Sequence, residues 1–305
     1  MILFLKYIIL IIFIFFVNCT TTTTEPEDDF WVENNGIIPV GTASNLEIVT
    51  WNIENFAKKG DQTEEILVKL IDDLNYDIYA LQEITEYNRI NDIIEKLGSN
   101  WESFSNNNGF QNLVFIINTE HITIIEDTLM DSDVCSLSIF TKRPHFLEFS
   151  FENVEYILIN NHFKAFSDED SRIRRYYQSQ CLKSYIDSKH FSDKVILTGD
   201  LNDSLTDEPA DNVFIEFLED EENYWFADLE IAQGSYTNWS YPGGMDASIH
   251  FDHFLLTNEI FNDDVLEITA TTLKLENLFS NGWADYEKYL SDHRAVKLLI
   301  QSANP

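Results

Sequence analysis

The feature that most constrains this chain is a set of polar residues placed at the ends of apolar, β-like runs. The fragments are TWNIENF at 50–56, LQE at 81–83, NNHF at 160–163, TGDLN at 198–202 and SDHR at 291–294. Each carries Asn, Asp, Glu or His next to an apolar run. A β-sheet can direct such side chains into one cleft. The sequence therefore predicts a fold in which distant segments meet at a shared polar site.

Between these fragments, β-like runs alternate with amphipathic segments. The first predicted helix starts near Asp61 and Thr63, and its apolar stripe comprises Ile66, Leu67, Leu70, Ile71 and Leu74. Further helices are predicted over 86–97 and 169–188. Strands are predicted at 46–51, 77–83, 113–118, 121–125, 137–140 and 194–200, with further apolar runs at 251–256 and 293–300. The runs 146–151 and 155–163 predict a hairpin that turns at Glu152 and Asn153.

This order lacks a strict alternation of strand and helix, and neighbouring strands look like hairpins. It predicts an α+β protein with mixed sheets packed face to face and helices outside. With 305 residues, 44% of them hydrophobic, the chain can bury a large core in one domain of about 250 residues. We place this domain at 46–302. The segment 20–45, rich in Thr, Asn, acids, Pro and Gly, is interpreted as a flexible linker.

Residues 1–19 have the pattern of an export signal. After Lys6, an apolar stretch runs from Tyr7 to Val17, which is short of the about 20 residues that a membrane-spanning helix needs. After Asn18 comes Cys19, which resembles the lipobox cysteine of bacterial lipoproteins, although Asn18 is unusual before it. We expect an exported protein, either a cell-envelope lipoprotein anchored to the membrane at Cys19, which we favour, or a secreted protein with an ordinary cleaved signal.

Two other cysteines remain, Cys135 and Cys181. Cys181 falls at core spacing in a predicted helix, which favours a buried free thiol over a disulfide.

The formal net charge of −34 opposes nucleic-acid binding through general electrostatics, because such binding depends on Lys and Arg neutralising phosphates. Any nucleic acid must be held locally, through a metal and a few cations. Candidate cations are Lys164, Arg172, Arg174 and Arg175, together with Lys142 and Arg143. For Arg174 and Arg175 a solvated helix face is the alternative interpretation.

Hydrolysis of a phosphodiester needs a cation to neutralise charge on the phosphoryl oxygens and an activated water. Glu83, Asn52 and Asp292 are the oxygen-bearing residues that Mg²⁺ prefers. In an extended segment, Asp200 and Asn202 point the same way and can reach one phosphate. A carboxylate such as Asp252 can fix the tautomer of a histidine.

Taken in order, the fragments resemble the signature blocks of the endonuclease/exonuclease/phosphatase superfamily, which has the deoxyribonuclease-I-like fold. The resemblance covers about 46–300 and adds the DH pair at 252–253. It implies a four-layer α/β sandwich of two mixed, mainly antiparallel sheets with helices outside. It also implies a secreted bacterial hydrolase dependent on Mg²⁺, with Mn²⁺ or Ca²⁺ as alternatives.

The same resemblance implies a role for each matching residue. Glu83 is the principal metal ligand, Asn52 and Asp292 complete or support the site, and Glu54 adds a further carboxylate. Asp200 orients or deprotonates the attacking water, and Asn202 holds a phosphate oxygen. His293, steered by Asp252, contacts the scissile phosphate, and His162 lies near the leaving group. His250 and His253 are interpreted as structural.

Some positions depart from the family pattern. Deoxyribonuclease-like members place a glutamate beside the leaving-group histidine, whereas this chain has Gln111 and Asn112. A Tyr-Arg pair in the next strand is replaced by Ile117 and Asn118. These differences leave the proton donor for the leaving group open.

The loop at 234–244 bears on the substrate. The segment 234–244 resembles a loop of secreted bacterial nucleases, and its Trp239 and Tyr241 could stack on a base, which is worth about 1 to 3 kcal/mol; an aromatic plug is the alternative. With Lys164 and Arg172 they form the predicted substrate-binding set. We expect a nuclease acting on DNA or RNA, with no obligate protein partner. A sphingomyelinase-like lipid phosphodiesterase or phosphatase and a catalytically silent binding module are the alternatives.

Overall fold

The apolar runs of the sequence form two mixed sheets of six strands each. The computed structural model describes residues 31–106, 109–243 and 247–302. The strands are β1 (Asn45–Phe56), β2 (Ile78–Ile84), β3 (Trp101–Ser105), β4 (Asn112–Asn118), β5 (Ile122–Leu129), β6 (His145–Phe151), β7 (Val154–His162), β8 (Val195–Asp200), β9 (Tyr224–Phe226), β10 (Asp252–Thr257), β11 (Leu266–Thr272) and β12 (Val296–Ser302). The first sheet has the order β11-β12-β1-β2-β4-β3, and the second has the order β5-β6-β7-β8-β10-β9.

Each sheet contains one parallel pair at its centre. These pairs are β1 with β2 and β7 with β8, and the other pairings are antiparallel. The predicted hairpin of β6 and β7 is confirmed, with left-handed backbone at Glu152 and Asn153. The two central strand pairs end at the same edge of the sandwich, since Asn52 of β1 is hydrogen-bonded to Asp200 at the end of β8.

Helices surround the two sheets. They are α1 (Asp61–Leu74), α2 (Tyr87–Leu97), α3 (Glu169–Lys189), α4 (Ile215–Leu218), α5 (Leu229–Ala232), α6 (Asn258–Phe261) and α7 (Trp283–Tyr289). The apolar stripe of α1 is buried as predicted and packs with Val49 and Trp51 of β1. On the second sheet, Leu182 and Ile186 of α3 pack against Ile157 and Leu197.

A third apolar cluster fills the space between the sheets. It includes Ile48 and Phe115 from the first sheet and Leu158 and Phe254 from the second, all with 0% exposure. Central strands are thus buried on both faces, which explains their continuous apolar sequences. The predicted four-layer α/β sandwich is confirmed.

The start of the first sheet, at the end opposite to the chemistry-bearing residues, buries a group of charged side chains. Asp77 Oδ2 accepts the backbone N–H of Glu47 at 2.8 Å, and Glu47 Oε2 accepts the N–H of Thr42 at 3.2 Å. The ammonium of Lys297 lies 4.6 Å from the centre of the Tyr76 ring. Burial, followed by the nearby charge of Glu47, raises the pKa of Asp77 to about 7.

Two predictions about the loop before β6 are wrong. Residues 137–140 do not form a strand; Leu137–Ile139 is a 3₁₀ turn whose start is capped when Ser136 accepts the N–H of Ser138. Cys135 and Cys181 form a disulfide with their Cα atoms 5.8 Å apart. The cause is tertiary packing, since the loop lies on α3 and brings Cys135 to the helix.

The linker prediction is wrong for the part of that segment that is described, residues 31–45. Trp31 forms a β-bridge with Phe279, Ile38 is buried in the outer core of the first sheet, and the carbonyl of Pro39 accepts a hydrogen bond from the Tyr76 hydroxyl. These contacts make 31–45 part of the domain surface. Residues 1–30, including the predicted signal and Cys19, lie outside the described residues.

Three strands, β3, β9 and β11, were not predicted from the sequence. Among the described residues, we find no helix with the length and apolar character needed to cross a bilayer.

Candidate active site

Strand register brings the polar fragments of the sequence to one edge of the sandwich. In the second sheet, His162 of β7 lies opposite Asp200 of β8, and Asp252 of β10 lies opposite Asp200 on its other side. In the first sheet, Asn52 of β1 lies opposite Gln82 of β2. Both parallel pairs end here, so side chains from both sheets converge.

The amide of Asn52 joins the two sheets at this edge. Its Nδ2 atom donates to Glu83 Oε1 at 3.2 Å and to Asp200 Oδ2 at 2.9 Å. Its Oδ1 atom accepts the backbone N–H of Glu54 at 3.0 Å. The predicted convergence of these segments is therefore observed for the carboxylates of Glu83 and Asp200. Its NH₂ group is turned toward the two carboxylates in this geometry, so Asn52 supports their positions.

Glu83 is positioned by an irregularity at the end of β2. The register shifts between Leu81 and Ile84, and Glu83 has a left-handed φ of 62°, so its side chain is redirected into the cleft. Its Oε2 atom accepts the N–H of Asn55 at 3.1 Å and the Nε2–H of Gln111 at 3.0 Å. Gln111, noted as a departure from the family pattern, thus anchors the principal carboxylate.

A second carboxylate pair lies beside Glu83. Glu54 Oε2 accepts the N–H of Asp292 at 3.1 Å and a hydrogen bond from Lys58. Burial raises the pKa of Asp292 to about 6; the positive charge of His293 opposes this increase, and Glu54 and Glu83 add to it. The cleft therefore concentrates negative charge that a cation would neutralise.

His293 is held by Asp252 in the way the sequence predicted. Asp252 Oδ2 lies 2.8 Å from His293 Nδ1, and Asp252 is fully buried. Burial alone would lower the pKa of His293, but the charges of Asp252 and Asp200 outweigh it and raise the pKa to about 10. Nδ1–H then donates to Asp252, and Nε2–H, 3.9 Å from Asp200 Oδ2, is directed into the cleft.

Asp200 lies at the centre of the cluster. Besides Asn52, its Oδ2 atom has His162 Nε2 at 3.6 Å, and its Oδ1 atom accepts the N–H of Asn202 at 3.0 Å. Burial raises the pKa of Asp200, while the nearby histidines lower it. The structure thus unites Asp200 with His162, His293 and Asn202 as predicted.

His162 approaches both principal carboxylates from the second sheet. Its Nε2 atom is 3.9 Å from Glu83 Oε1, and its buried Nδ1 atom has no hydrogen-bond partner in the structure. Nε2 is therefore the ring nitrogen directed at the carboxylates of the cleft, where it can contact a phosphate ester oxygen.

Several positioning residues were not assigned a role from the sequence. Ser291 Oγ donates to the carbonyl of Asn52 at 2.6 Å and accepts the N–H of His293 at 2.9 Å. Gln82 Nε2 donates to Asn160 Oδ1 at 2.8 Å across the two sheets. The sequence feature that could have identified them is their position inside the same polar fragments, next to residues that were assigned a role.

The four predicted substrate-binding residues have different environments. A cavity of about 450 Å³ is lined by Tyr241 and Arg172 together with His293 and Asn202; the Tyr241 ring centre lies 5.1 Å from that of His293. Neither Lys164 nor Trp239 is among the lining residues.

The contacts of Lys164 and Trp239 are internal. Lys164 Nζ donates to the carbonyl of Ala165 at 3.1 Å and lies over the ring of Phe166. The indole N–H of Trp239 donates to the carbonyl of Ile231 at 3.0 Å. This geometry favours the packing interpretation for Trp239.

His250 and His253 belong to a separate buried cluster with Asp228, whose spacing could hold a metal. Asp228 Oδ2 lies 2.6 Å from His253 Nδ1 and 3.1 Å from His250 Nε2. The remaining ring nitrogens face the carbonyl of Asp203 at 3.0 Å and the N–H of Ser240 at 3.1 Å. Because every ring nitrogen faces a protein group, we assign the cluster a structural role, in agreement with the interpretation from the sequence.

The donor set of the cleft fits a hard divalent cation. Glu83, Glu54, Asp292 and Asp200 supply carboxylate oxygens, which Mg²⁺ and Mn²⁺ prefer. Lys58, bonded to Glu54, offsets only part of their charge. Burial is the main cause of the raised pKa of Asp292, and the neighbouring charges of Glu54 and Glu83 add to it.

Comparison with known sequences gives one family. The sequence model described as "Endonuclease/Exonuclease/phosphatase family" matches residues 49–293, a range that contains all of the convergent cleft residues. Among curated proteins, no sequence matches the chain.

Solved structures with the same fold are distant in sequence. A humanized D. rerio TDP2 superposes with a TM-score of 0.67 at 14% identity, covering 85% of this chain and 100% of that one. D. rerio TDP2 complexed with a single-strand DNA product gives 0.63 at 13% identity, with coverage of 85% and 100%. A mannosyl-6-phosphatase from Bacteroides thetaiotaomicron gives 0.58 at 14% identity, with coverage of 84% and 99%.

Proposed function

Because the chain belongs to the endonuclease/exonuclease/phosphatase family, whose members are hydrolases acting on phosphoric ester bonds, we propose that it is a divalent-metal-dependent phosphodiesterase that cleaves nucleic acid. The observation that carries this proposal is the convergence of Glu83, Asp200 and His293 from both sheets, with Asn52 bonded to two of them.

The side chains divide the work of hydrolysis. The cation, held by Glu83, Asp292 and Glu54, would supply charge neutralisation on the phosphoryl oxygens. Asp200 orients a water molecule and accepts its proton as the water oxygen bonds to phosphorus. The bond from phosphorus to the leaving oxygen breaks as this one forms.

The raised pKa of His293 supports one role over another. The bond from His293 Nδ1 to Asp252 and the raised pKa of the ring favour its protonated form. We therefore assign His293 as a hydrogen-bond donor to a phosphoryl oxygen and Asp200 as the general base. Asn202 adds a further donor on the same side. His162, whose Nε2 atom lies near Glu83 and Asp200, contacts the leaving oxygen.

Two observations bear on the substrate. The fold resembles that of D. rerio TDP2, which has been seen with a single-strand DNA product. A single strand contacted near one phosphate requires fewer cations than a duplex, which suits a chain of net charge −34.

A phosphatase acting on a small monoester is the second candidate. It is favoured by the pairing of the nearby cations, since Arg172 is bonded to Glu169 and Arg175 to Asp203. Such paired cations provide little attraction for a long polyanion.

We further propose that the protein is exported, with Cys19 as a lipid-attachment site. This proposal rests on the sequence pattern of residues 1–19 alone. Metabolic labelling of the full chain with a tritiated fatty acid, with Cys19→Ser as the control, tests it; equal labelling of the two would contradict it.

The function is tested with a substrate panel. The purified chain is incubated with plasmid DNA, RNA, bis-p-nitrophenyl phosphate, p-nitrophenyl phosphate and sphingomyelin vesicles, each with Mg²⁺ or Mn²⁺ and with EDTA. We expect EDTA-sensitive cleavage of nucleic acid and of the diester. Turnover of the monoester alone would favour the phosphatase, choline phosphate release would favour the lipid enzyme, and no turnover of any compound would leave only a binding role.

A further inference from the structure

The cavity beside His293 has a composition that the proposed reaction does not itself require. It holds about 450 Å³ and lies against His293 and Asn202, so it adjoins the place of the scissile phosphate. One part of its wall is aromatic, from Phe166, Tyr241 and Phe251. A volume of this size suits a single ring attached to the phosphate.

Phe166 is an exposed aromatic residue held in a strained backbone conformation. Its side chain is 72% exposed, and its φ of 82° lies in the left-handed region, which is a genuine outlier for a bulky residue. Such strain persists where the surroundings enforce it.

Arg175 enforces that conformation from below. Its Nη1 atom donates to the carbonyls of Phe166 at 2.7 Å and Lys164 at 2.8 Å, and its Nε atom donates to Asp203 Oδ2 at 2.7 Å. Arg175 is only 5% exposed. This buried side chain therefore holds an apolar ring at the mouth of the cavity, where solvent exposure is otherwise unfavourable.

The polar part of the wall includes two carboxylates. Asp203 and Asp207 line it; burial, followed by the charge of Asp203, raises the pKa of Asp207 to about 6. The guanidinium groups of Arg175 and Arg172 are engaged by Asp203 and by Glu169. A second phosphate would be repelled here, whereas hydroxyl groups could donate to the carboxylates.

We propose that this cavity binds a hydroxyl-bearing sugar ring that carries the scissile phosphate, with one face on Phe166 and Tyr241 and its hydroxyls donating to Asp203 and Asp207. The proposal rests on the proposed function and specifies its substrate class. Carboxylates are common partners of vicinal sugar hydroxyls, as in the acidic residue that binds the ribose of dinucleotides. The sugar has two sources, the ribose of RNA and the hexose of a sugar phosphate.

Chromogenic diesters that differ only in the ring test this directly. Release of p-nitrophenolate is measured for uridine 5′-(p-nitrophenyl phosphate) against its 2′,3′-dideoxy analogue, and for glucose 6-(p-nitrophenyl phosphate) against the cyclohexylmethyl ester. Methyl p-nitrophenyl phosphate, which has no ring, reports basic activity. We expect kcat/KM to be at least about ten-fold higher for the hydroxyl-bearing member of one pair, because a site built for hydroxyls rejects the analogue that lacks them.

Two variants locate the effect. Phe166→Ala and Asp207→Ala, whose side chains line the cavity and also reach solvent, should lower the ratio of kcat/KM for the preferred sugar ester to that for the methyl ester about ten-fold. The matched controls, Phe191→Ala and Asp264→Ala, remove an exposed ring and an exposed carboxylate outside the cavity and should leave the ratio unchanged.

The possible outcomes distinguish failure of the sugar subsite from failure of the proposed phosphodiesterase function. Preference in the uridine pair identifies ribose, and preference in the glucose pair identifies hexose. Turnover of the methyl ester without preference in either pair, or equal loss on all substrates in both variants, overturns the sugar subsite and leaves the proposed function standing. No turnover of any ester, the methyl one included, would instead refute the proposed function.

Discussion

Replacement of Asp77 by asparagine tests the charged group buried at the start of the first sheet. Asp77 is 2% exposed, and its pKa is raised from the usual 3.8 to about 7. Between those two values the folded protein binds a proton that the unfolded chain does not. Its contribution to stability is therefore fully present below about pH 4 and is lost as the pH rises through about 7.

The structure sets the size of this effect. A shift of about three pKa units corresponds to at most about 4 kcal/mol of unfolding free energy. The N–H of Glu47, 2.8 Å from Asp77 Oδ2, still stabilises the ionised form, and Glu47 titrates in the same cluster, its own pKa raised by burial. We therefore expect about 2 kcal/mol, near half of the upper bound.

The assay is urea unfolding, followed by tryptophan fluorescence, at pH values from 5 to 8. Asparagine keeps an oxygen to accept the Glu47 N–H and cannot ionise. The Asp77→Asn protein should therefore lose less stability over this range and exceed the unmodified protein at pH 8. Asp72→Asn, an exposed position on α1, is the matched control. Parallel stability curves for Asp77→Asn and the unmodified protein would refute the reasoning.

Three further outcomes are expected. Glu83→Gln should abolish metal-dependent turnover with the fold intact, whereas the control Glu102→Gln, on the exposed side of β3, should have no effect. Circular dichroism measures the fold and the diester assay measures turnover; retained activity of Glu83→Gln would show that Glu83 does not hold the metal. His293→Ala should lower kcat about 10²- to 10³-fold, more than it raises KM, because the lost hydrogen bond forms to charge that develops in the transition state; a change confined to KM would contradict that role. Cys181→Ser should lower the free energy of unfolding by about 3 to 4 kcal/mol, since the disulfide spans 46 residues. Urea denaturation under oxidising conditions measures this change, and an unchanged midpoint of unfolding would argue against a stabilising disulfide.

The residues that carry chemistry were predictable because their types and order identify them. Glu83, Asp200 and His293 stand in short fragments at strand ends, and their partners Asn52 and Asp252 stand in the same fragments. The four-layer fold followed from the same order, because the family resemblance extends over most of the chain.

What the sequence did not reveal depends on contacts between distant segments. The 137–140 run has the composition of a strand, yet it packs on α3 and turns. Cys135 meets Cys181 only because of that packing. Arg175 resembled a solvated helix residue, but its guanidinium is bonded to Asp203 and two carbonyls. No local pattern encodes such pairings.

The hydrogen bond from Gln82 to Asn160 joins two sheets that are otherwise held together mainly by apolar side chains. Apolar contact resists separation of two layers better than it resists sliding, since one packed arrangement can exchange for another of similar area. Glu83 is carried by one layer and His293's partner Asp252 by the other, so a slide of about one ångström would misalign the reacting groups. The hydrogen bond between Gln82 and Asn160 therefore fixes the lateral position of one sheet relative to the other. Removing it would impair turnover in a protein that still folds.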